Sequence, residues 1–284
     1  MFSSAHSLRA IRELYPATFA ALADGYPPKP DHITSDAAEH RRLRAPYAHH
    51  LTTPGLIKAM EPAIRKRADT LVDSFVEAGA ADLVARYTSP LPVDTAAELF
   101  GLASTDVETA RSGSESLFSL GGADLTEEQE AQAARTFVAF QQVLAGYVRR
   151  RHAAPTGDLI SDVVATLAPG AGPLTFDQEA ELISTISSTY GASHITTTDT
   201  LGNALRMLLT HPDQWHLLCR RPELVPNAVE EVLRFEAPVP SIFRRTTRPA
   251  TIAGADLPEG ADVLLAFASA NRDEDRYPTP TAST

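Results

Sequence analysis

Residues 231–234 read Glu-Val-Leu-Arg and residues 270–273 read Ala-Asn-Arg-Asp, and these two segments frame the part of the chain that decides the fold. Glu231 and Arg234 are three positions apart, so a helix places the carboxylate and the guanidinium on one face. Such a pair alone is common on solvated helices and contributes little to stability. Arg244 and a turn signal rich in Gly and Pro follow in order before the second segment. The ordered series, rather than the pair, therefore carries the information about the fold.

Helical patterns dominate the chain that surrounds these segments. Thr126 and Thr175 each begin a capping box, in which a hydroxyl residue is followed three positions later by Gln. The first box predicts a long helix to about Arg151, and the second predicts an unusually long one to about Thr210. Residues 225–235 predict a further helix. The long central helix is therefore the expected backbone of the fold.

The pattern changes to short strands after the last of these helices. Residues 251–252 and 263–268 have the composition of strands, and Gly254 and residues 258–260 between them have the composition of turns. These features predict a short β hairpin. The expected fold class is mainly α with a small β component.

Length, composition and charge limit the function classes. The chain has 284 residues, a formal net charge of −11 and a single cysteine. The acidic balance argues against binding nucleic acid or an anionic membrane surface. No apolar signal core or membrane-spanning stretch is present, and one cysteine cannot form an intramolecular disulfide, so a cytoplasmic location is expected. We expect one domain over residues 1–280 and a polar tail over residues 281–284.

Two further groups of residues have the chemistry of a binding site. His40 and Arg44 are four positions apart, so both would lie on one helix face and could hold two carboxylates. A solvated basic face is the alternative interpretation. Residues 190–198, in the middle of the predicted long helix, are small, β-branched or hydroxylated except for His194. Such residues favour either hydroxyl bonds back to the preceding turn or close packing against another helix.

Taken together and in order, these segments resemble the cytochrome P-450 family of haem-thiolate monooxygenases, in its soluble bacterial form. The resemblance extends over nearly the whole chain. It implies a haem cofactor whose propionates are held by His40, Arg44 and Arg244. It also implies a buried charged lock that consists of a glutamate, a helix arginine and a later arginine. The positions that match this lock are Glu231, Arg234 and Arg272.

The resemblance also assigns residues to the oxygen and substrate side of the haem. Thr196 matches the alcohol that assists oxygen activation, and Ala192, Val239 and Ile242 match positions that border the substrate. The family usually has an acid directly before this threonine, whereas this chain has Ile195 there. The chain therefore departs from the family's usual pairing of an acid with an alcohol for proton delivery.

The cysteine that ligates the iron in this family has no counterpart at the expected place. It lies in a glycine-rich loop after the Asn-Arg-Asp segment, and here the only cysteine is Cys219, which precedes that segment. We interpret Cys219 as a helical, packing residue. The family's first strands and its cysteine loop are also missing from the given chain. We therefore expect a partial cytochrome P-450 fold that has no axial metal ligand, and whether this chain retains haem or is itself an enzyme stays open.

Three interpretations of function follow. The first is a partial cytochrome P-450 whose complete form oxygenates a small hydrophobic substrate, of the secondary-metabolite type, with electrons from a ferredoxin or a flavoprotein. The second is a haem-free relative that acts as a helper and binds a partner enzyme such as a glycosyltransferase. The third is an unrelated all-α protein, which the ordered series of matches disfavours. The first two are distinguished by whether the chain binds a cofactor or another protein.

Overall fold

The computed structural model describes residues 1–5, 7–8 and 13–277. Within them the chain is mainly helical with a small β component, which confirms the predicted fold class. The predicted tail at residues 281–284 and the predicted domain end at residue 280 lie outside the described residues. The helices are α1 (Pro16–Leu22), α2 (Ala37–Thr52), α3 (Pro54–Asp73), α4 (Pro90–Phe100), α5 (Val107–Gly122), α6 (Glu127–Ala153), α7 (Leu159–Leu167), α8 (Phe176–Thr210), α9 (Pro212–Arg220), α10 (Val225–Phe235) and α11 (Phe267–Ala270).

The strands form two small antiparallel sheets. They are β1 (Phe2–Ser3), β2 (Ile242–Thr246), β3 (Ala250–Ile252), β4 (Ala255–Leu257) and β5 (Asp262–Leu265). One sheet has the order β1-β2-β5, and the other is the hairpin β3-β4. In the first sheet Phe2 lies opposite Thr246, and Arg244 lies opposite Val263. This sheet therefore brings the first residues of the chain next to its last third.

The predicted strand over residues 263–268 is shorter than expected. It ends at Leu265 because residues from Phe267 onward turn into the short helix α11. The resulting strand, β5, pairs with β2 along its whole length. At the hairpin turn both Ala253 and Gly254 have positive φ angles, a backbone conformation that glycine adopts without steric cost.

The two predicted capping boxes are present and define where the long helices begin. The Thr126 hydroxyl accepts from the backbone N–H of Gln129, and the Gln129 side chain accepts from the backbone N–H of Thr126. Thr175 and Gln178 make the same reciprocal pair at the start of α8. Each box satisfies two backbone donors that the helix itself leaves free. The long central helix then ends at Thr210, as predicted.

The hydrophobic core surrounds the first half of α8. Helices α4, α5, α6 and α7 all pack against this helix. Its buried side chains are concentrated between Glu179 and His194, and Met207 is the one further buried residue in α8. By contrast α3 has no buried residue although it is 20 residues long. Cys219 lies in α9 as expected, but its side chain is exposed, so the predicted packing role is wrong.

None of the helices in the described part of the chain has both the length and the apolar character that a membrane span requires.

The contact between α5 and α6 depends on Gly113. A Cβ atom at this position would lie 2.2 Å from the Cβ atom of Phe140, which is fully buried. We expect Gly113→Ala to lower the free energy of unfolding by about 1–3 kcal/mol, because the extra methyl group forces the two helices apart. Urea unfolding followed by circular dichroism measures this change.

Gly146→Ala is the matched control for this substitution. Like Gly113 in α5, Gly146 lies inside a helix, α6. A Cβ atom there would meet only the flexible end of the Arg150 side chain. Alanine has the higher helix propensity, so this variant should be as stable as the parent or more stable by up to about 1 kcal/mol. Equal destabilisation of both variants would contradict the close approach at Gly113.

Candidate functional site

The middle of α8 is held by side-chain hydroxyls that bond back to the preceding turn. The Thr196 hydroxyl donates to the Ala192 carbonyl at 3.0 Å, and the Thr200 hydroxyl donates to the Thr196 carbonyl at 2.7 Å. Thr189 makes the same kind of bond to Thr185. The helix remains continuous through these residues. Because each hydroxyl proton is used, the oxygen of Thr196 is available as an acceptor.

The other interpretation of this segment, close packing, also holds. A Cβ atom at Gly191 would lie 2.7 Å from the Phe118 ring of α5. His194 is buried, and its Nε2 atom lies 2.9 Å from the hydroxyl of Ser114, also in α5. His194 therefore packs α8 against α5. Burial lowers the pKa of His194 to about 4, and the positive charge of Arg111 acts in the same direction.

The second feature is a basic cluster on α2. His40 is half-buried and Arg44 is exposed, and in the part of the chain that the structure describes neither side chain makes a hydrogen bond or an ion pair. His32, on the loop before α2, faces both of them. Arg42, between the two, behaves differently because it bridges Glu39 and Glu181. The basic cluster, defined as His32, His40 and Arg44, is thus separate from the structural ion pairs of α2.

Arg244 lies at the amino-terminal end of the same helix. Its guanidinium donates to the Ser7 hydroxyl at 3.0 Å, and its positive charge is one of the factors that lower the pKa of Asp36. The larger factor is the hydrogen bond from the Ser3 hydroxyl to the Asp36 carboxylate. Asp36 immediately precedes α2, and the backbone N–H of His40 donates to its carbonyl. Pairing of β1 with β2 therefore directs Arg244 towards the start of α2.

One face of α8 connects these features. Residues seven positions apart on a helix share a face, so Thr189, Thr196 and Asn203 are aligned. Tyr47 of α2 lies against Thr189. The Asn203 amide donates to the carbonyl of Glu236, just after α10, at 3.1 Å. The helix face between these two contacts is about 20 Å long, and Thr196 lies at its centre. We call this stretch the α8 groove.

The proposed substrate-side residues belong to two separate parts of the chain, α8 and the segment after α10. Ala192 is half-buried, one turn before Thr196 on the groove face. Val239 and Ile242 follow the segment that Asn203 holds, and they are exposed and half-buried respectively. Both belong to the chain that leads from α10 into β2.

Glu231 and Arg234 form a bidentate ion pair that is mostly buried. Both nitrogen–oxygen distances are 2.7 Å, and the side chains are 16% and 12% exposed. Arg234 also donates to the Asn271 carbonyl at 2.8 Å, so the pair ties α10 to the end of α11. The contacts of Arg272 go to the Phe235 carbonyl, at 2.7 Å, and to Glu236. The role of Arg272 as the third member of the lock stays a prediction.

Sequence reasoning did not identify His32 or Tyr47 as members of the site. Their rings lie 5.3 Å apart, and Tyr47 is 2% exposed. Both belong to segments whose local pattern indicates only a loop and a helix. The available signal was the spacing of Asp31 and Thr34, which form a tight hydrogen-bonded turn that projects His32 towards α2.

Residues 1–5, 7–8 and 13–277 contain no group of three or more His, Cys, Asp or Glu side chains that could hold a metal ion.

Comparisons with known proteins identify a matching family model and several similar proteins. The family model described as Cytochrome P450 matches residues 221–282. Erythromycin C-12 hydroxylase of Saccharopolyspora erythraea is 36% identical over 274 residues, which are 93% of this chain and 66% of that protein. The 6-deoxyerythronolide B hydroxylase of the same organism is 34% identical over 87% of this chain and 59% of that protein. Vitamin D(3) 25-hydroxylase of Pseudonocardia autotrophica is 32% identical over 89% of this chain and 60% of that protein.

Solved cytochrome P450 structures also superpose closely on this chain. Cytochrome P450 CREJ, in complex with (4-ethylphenyl) dihydrogen phosphate, superposes with a TM-score of 0.89 at 29% identity. The superposition covers 100% of this chain and 70% of that one. An intact type IV self-sufficient cytochrome P450 monooxygenase gives a TM-score of 0.89 at 28% identity, over 100% of this chain and 37% of that one. The chain thus spans 59–66% of the curated relatives described above.

His194 makes the stability of the site depend on pH. Its pKa is about 4 in the folded chain and about 6.5 when unfolded. The unfolded state therefore binds the proton more readily, and the contribution of His194 to stability, complete above about pH 6.5, is lost as the pH falls towards 4. The expected slope is at most about 1.4 kcal/mol per pH unit.

Urea unfolding at about pH 7 and about pH 5 measures this slope. His194→Gln keeps a side chain that can bond to Ser114 but cannot titrate. Because burial also lowers the pKa of His32, some pH dependence should persist in the variant. An identical slope in the parent and in His194→Gln would contradict the assignment.

Proposed function

Because this chain belongs to the cytochrome P450 family, we propose that it forms the oxygen-side wall and the propionate-binding side of a haem pocket. The observation that carries the proposal is the alignment along α8. Tyr47 and Glu236 delimit a groove about 20 Å long, Thr196 lies at its centre, and the basic cluster lies beside the α2 end. In this proposal a flat dianionic cofactor lies along that face of α8 with its carboxylates at the basic cluster.

The propionate side of the haem fits the residues that are present. Arg44 is fully ionised at neutral pH and has no ion-pair partner in the described part of the chain. Carboxylates are the groups with which an arginine makes its strongest hydrogen bonds. We therefore assign the propionates to His40 and Arg44, with Arg244 as the third basic residue at the amino-terminal end of α2.

The iron side does not fit. Haem with an axial thiolate supplies the oxygen-activating chemistry of this family, and the one cysteine of this chain is exposed on α9. Because Cys219 does not fit that position, we derive no reaction step for this chain. The oxygenation activity of the whole protein is therefore part of the proposal.

The oxygen-side residues have more limited roles. The Thr196 hydroxyl donates to the Ala192 carbonyl, and its oxygen can accept a hydrogen bond from a group in the α8 groove. Ile195 has no ionisable group, so an acid directly before Thr196 cannot deliver a proton there. Ala192, Val239 and Ile242 would border an apolar substrate, and the Glu231–Arg234 pair would hold the α10 end of the pocket in place.

Substrate and partners follow from the family and the relatives. Two of these relatives are named as hydroxylases of 6-deoxyerythronolide B and of erythromycin. We propose a small hydrophobic substrate of the secondary-metabolite type, with electrons supplied by a ferredoxin or a flavoprotein. The cytoplasmic location stays a prediction from the sequence. A haem-free helper that binds a glycosyltransferase is the less favoured alternative, since the relatives are named as hydroxylases.

Haemin titration of the purified chain tests the propionate assignment. Arg44→Leu should weaken binding roughly tenfold, because it removes a charge-assisted hydrogen bond to a carboxylate. Arg135→Leu is the control, since Arg135 is exposed on α6 and bonds only within its own helix, to Gln132. Haemin binding that is equally tight in the parent and in Arg44→Leu would contradict the proposal.

The absorption spectrum of the reduced carbon-monoxide complex tests the iron side. We expect no thiolate-type Soret band from this chain, because Cys219 lies outside the α8 groove on a surface helix. A thiolate-type band that persists in Cys219→Ser would show another sulfur source, and one that disappears in Cys219→Ser would overturn our placement of Cys219.

A further inference from the structure

His32 lies on a loop whose own hydrogen bonds hold it against α2. The backbone N–H of Lys29 donates to the Ser184 hydroxyl of α8 at 3.0 Å, which anchors the loop. The Asp31 carboxylate then accepts from the backbone N–H groups of Ile33 and Thr34, both at 2.9 Å. This turn surrounds His32 on both sides. The position of the imidazole is therefore set by the backbone rather than by its own side-chain contacts.

The imidazole packs on a buried ring and has an unused polar atom. The His32 and Tyr47 ring centres are 5.3 Å apart, with 35° between the ring planes. The Nδ1 atom of His32 is buried and has no hydrogen-bond partner among the residues that the structure describes. A buried polar atom without a partner costs free energy. Folding keeps the ring in this position although the ring gains no hydrogen bond there.

The neighbours of His32 are mostly basic. Burial is the main cause that lowers the pKa of His32, and the positive charges of Arg44 and His40 lower it as well. Asp31 acts in the opposite direction. However, the Asp31 carboxylate is already used by its own turn, where it also accepts from the Thr34 hydroxyl. The cluster thus combines nitrogen-bearing side chains from two separate elements, the loop and α2, that are close enough for their charges to act on His32.

We propose that His32 is a third donor to the cofactor carboxylates that His40 and Arg44 hold. This inference rests on the proposed function, because it adds a binding residue to the same site. It also gives that site a selectivity: a porphyrin with free propionates is preferred over the same porphyrin with esterified ones. An ester oxygen has no negative charge, so it is a much weaker acceptor for an arginine or an imidazolium.

Fluorescence titration of the full chain with iron-free protoporphyrin IX, and separately with its dimethyl ester, tests this inference. His32→Phe keeps a ring against Tyr47 and removes the donor, whereas His32→Gln keeps a donor without a ring. We expect His32→Phe to weaken binding of the diacid roughly threefold to tenfold and to leave binding of the ester unchanged. His32→Gln should be closer to the parent. His216→Phe, which replaces an exposed imidazole on α9, is the control and should bind like the parent.

The outcomes separate this inference from the proposed function. If the parent chain binds the diacid more tightly than the ester and His32→Phe retains that preference in full, the role of His32 is wrong and the propionate site stands. If His32→Phe loses diacid and ester binding alike, His32 has only a structural role and the inference fails. If the parent makes no distinction between diacid and ester, the proposed propionate site itself fails. Thermal unfolding followed by circular dichroism verifies that each variant is folded.

Discussion

The ring of Tyr190 lies where the central helix crosses its neighbours. It meets the Phe100 ring of α4 edge-on at 5.4 Å and the Phe140 ring of α6 at 5.7 Å. One turn later along α8, the His194 ring packs against it at 5.2 Å and contacts α5 through Ser114. Aromatic contacts of this kind bury large areas and favour specific angles. They fix both the position and the rotation of α8, and the α8 groove is defined by that rotation.

Local chemistry made the helices predictable. The capping boxes at Thr126 and Thr175 place helix starts to the residue, because a hydroxyl followed by Gln three positions later satisfies two backbone donors. The strand at residues 263–268 was less well predicted, since an apolar run does not specify whether Phe267 continues the strand or begins a turn of helix. Cys219 was misplaced because a cysteine has no sequence signal that separates a buried helix face from an exposed one.

The site was predictable only as far as its residues share an element. His40 and Arg44 could be paired because both lie on one helix, four positions apart. Arg244 and His32 reach the same place through β-sheet pairing and through a turn, and neither the sheet register nor the turn direction can be read from a neighbouring residue. For Arg244 the family resemblance indicated the position, whereas for His32 the spacing of Asp31 and Thr34 indicates a turn but not the direction in which the ring projects. The two walls of the α8 groove likewise depend on tertiary contacts at Thr189 and Asn203.

The uneven burial of α8 gives its two halves different local stability. Amide groups up to His194 lie in the core, so they can exchange with solvent only when much of the fold opens. Beyond His194, Met207 is the one buried residue of α8, so the turns that include Thr196 can open alone. In the chain without a cofactor, the wall that would face the oxygen side therefore belongs to the weakly protected part of the molecule. A ligand that binds there stabilises the helical form of these turns and so lowers local opening between Thr196 and the α10 end of the α8 groove.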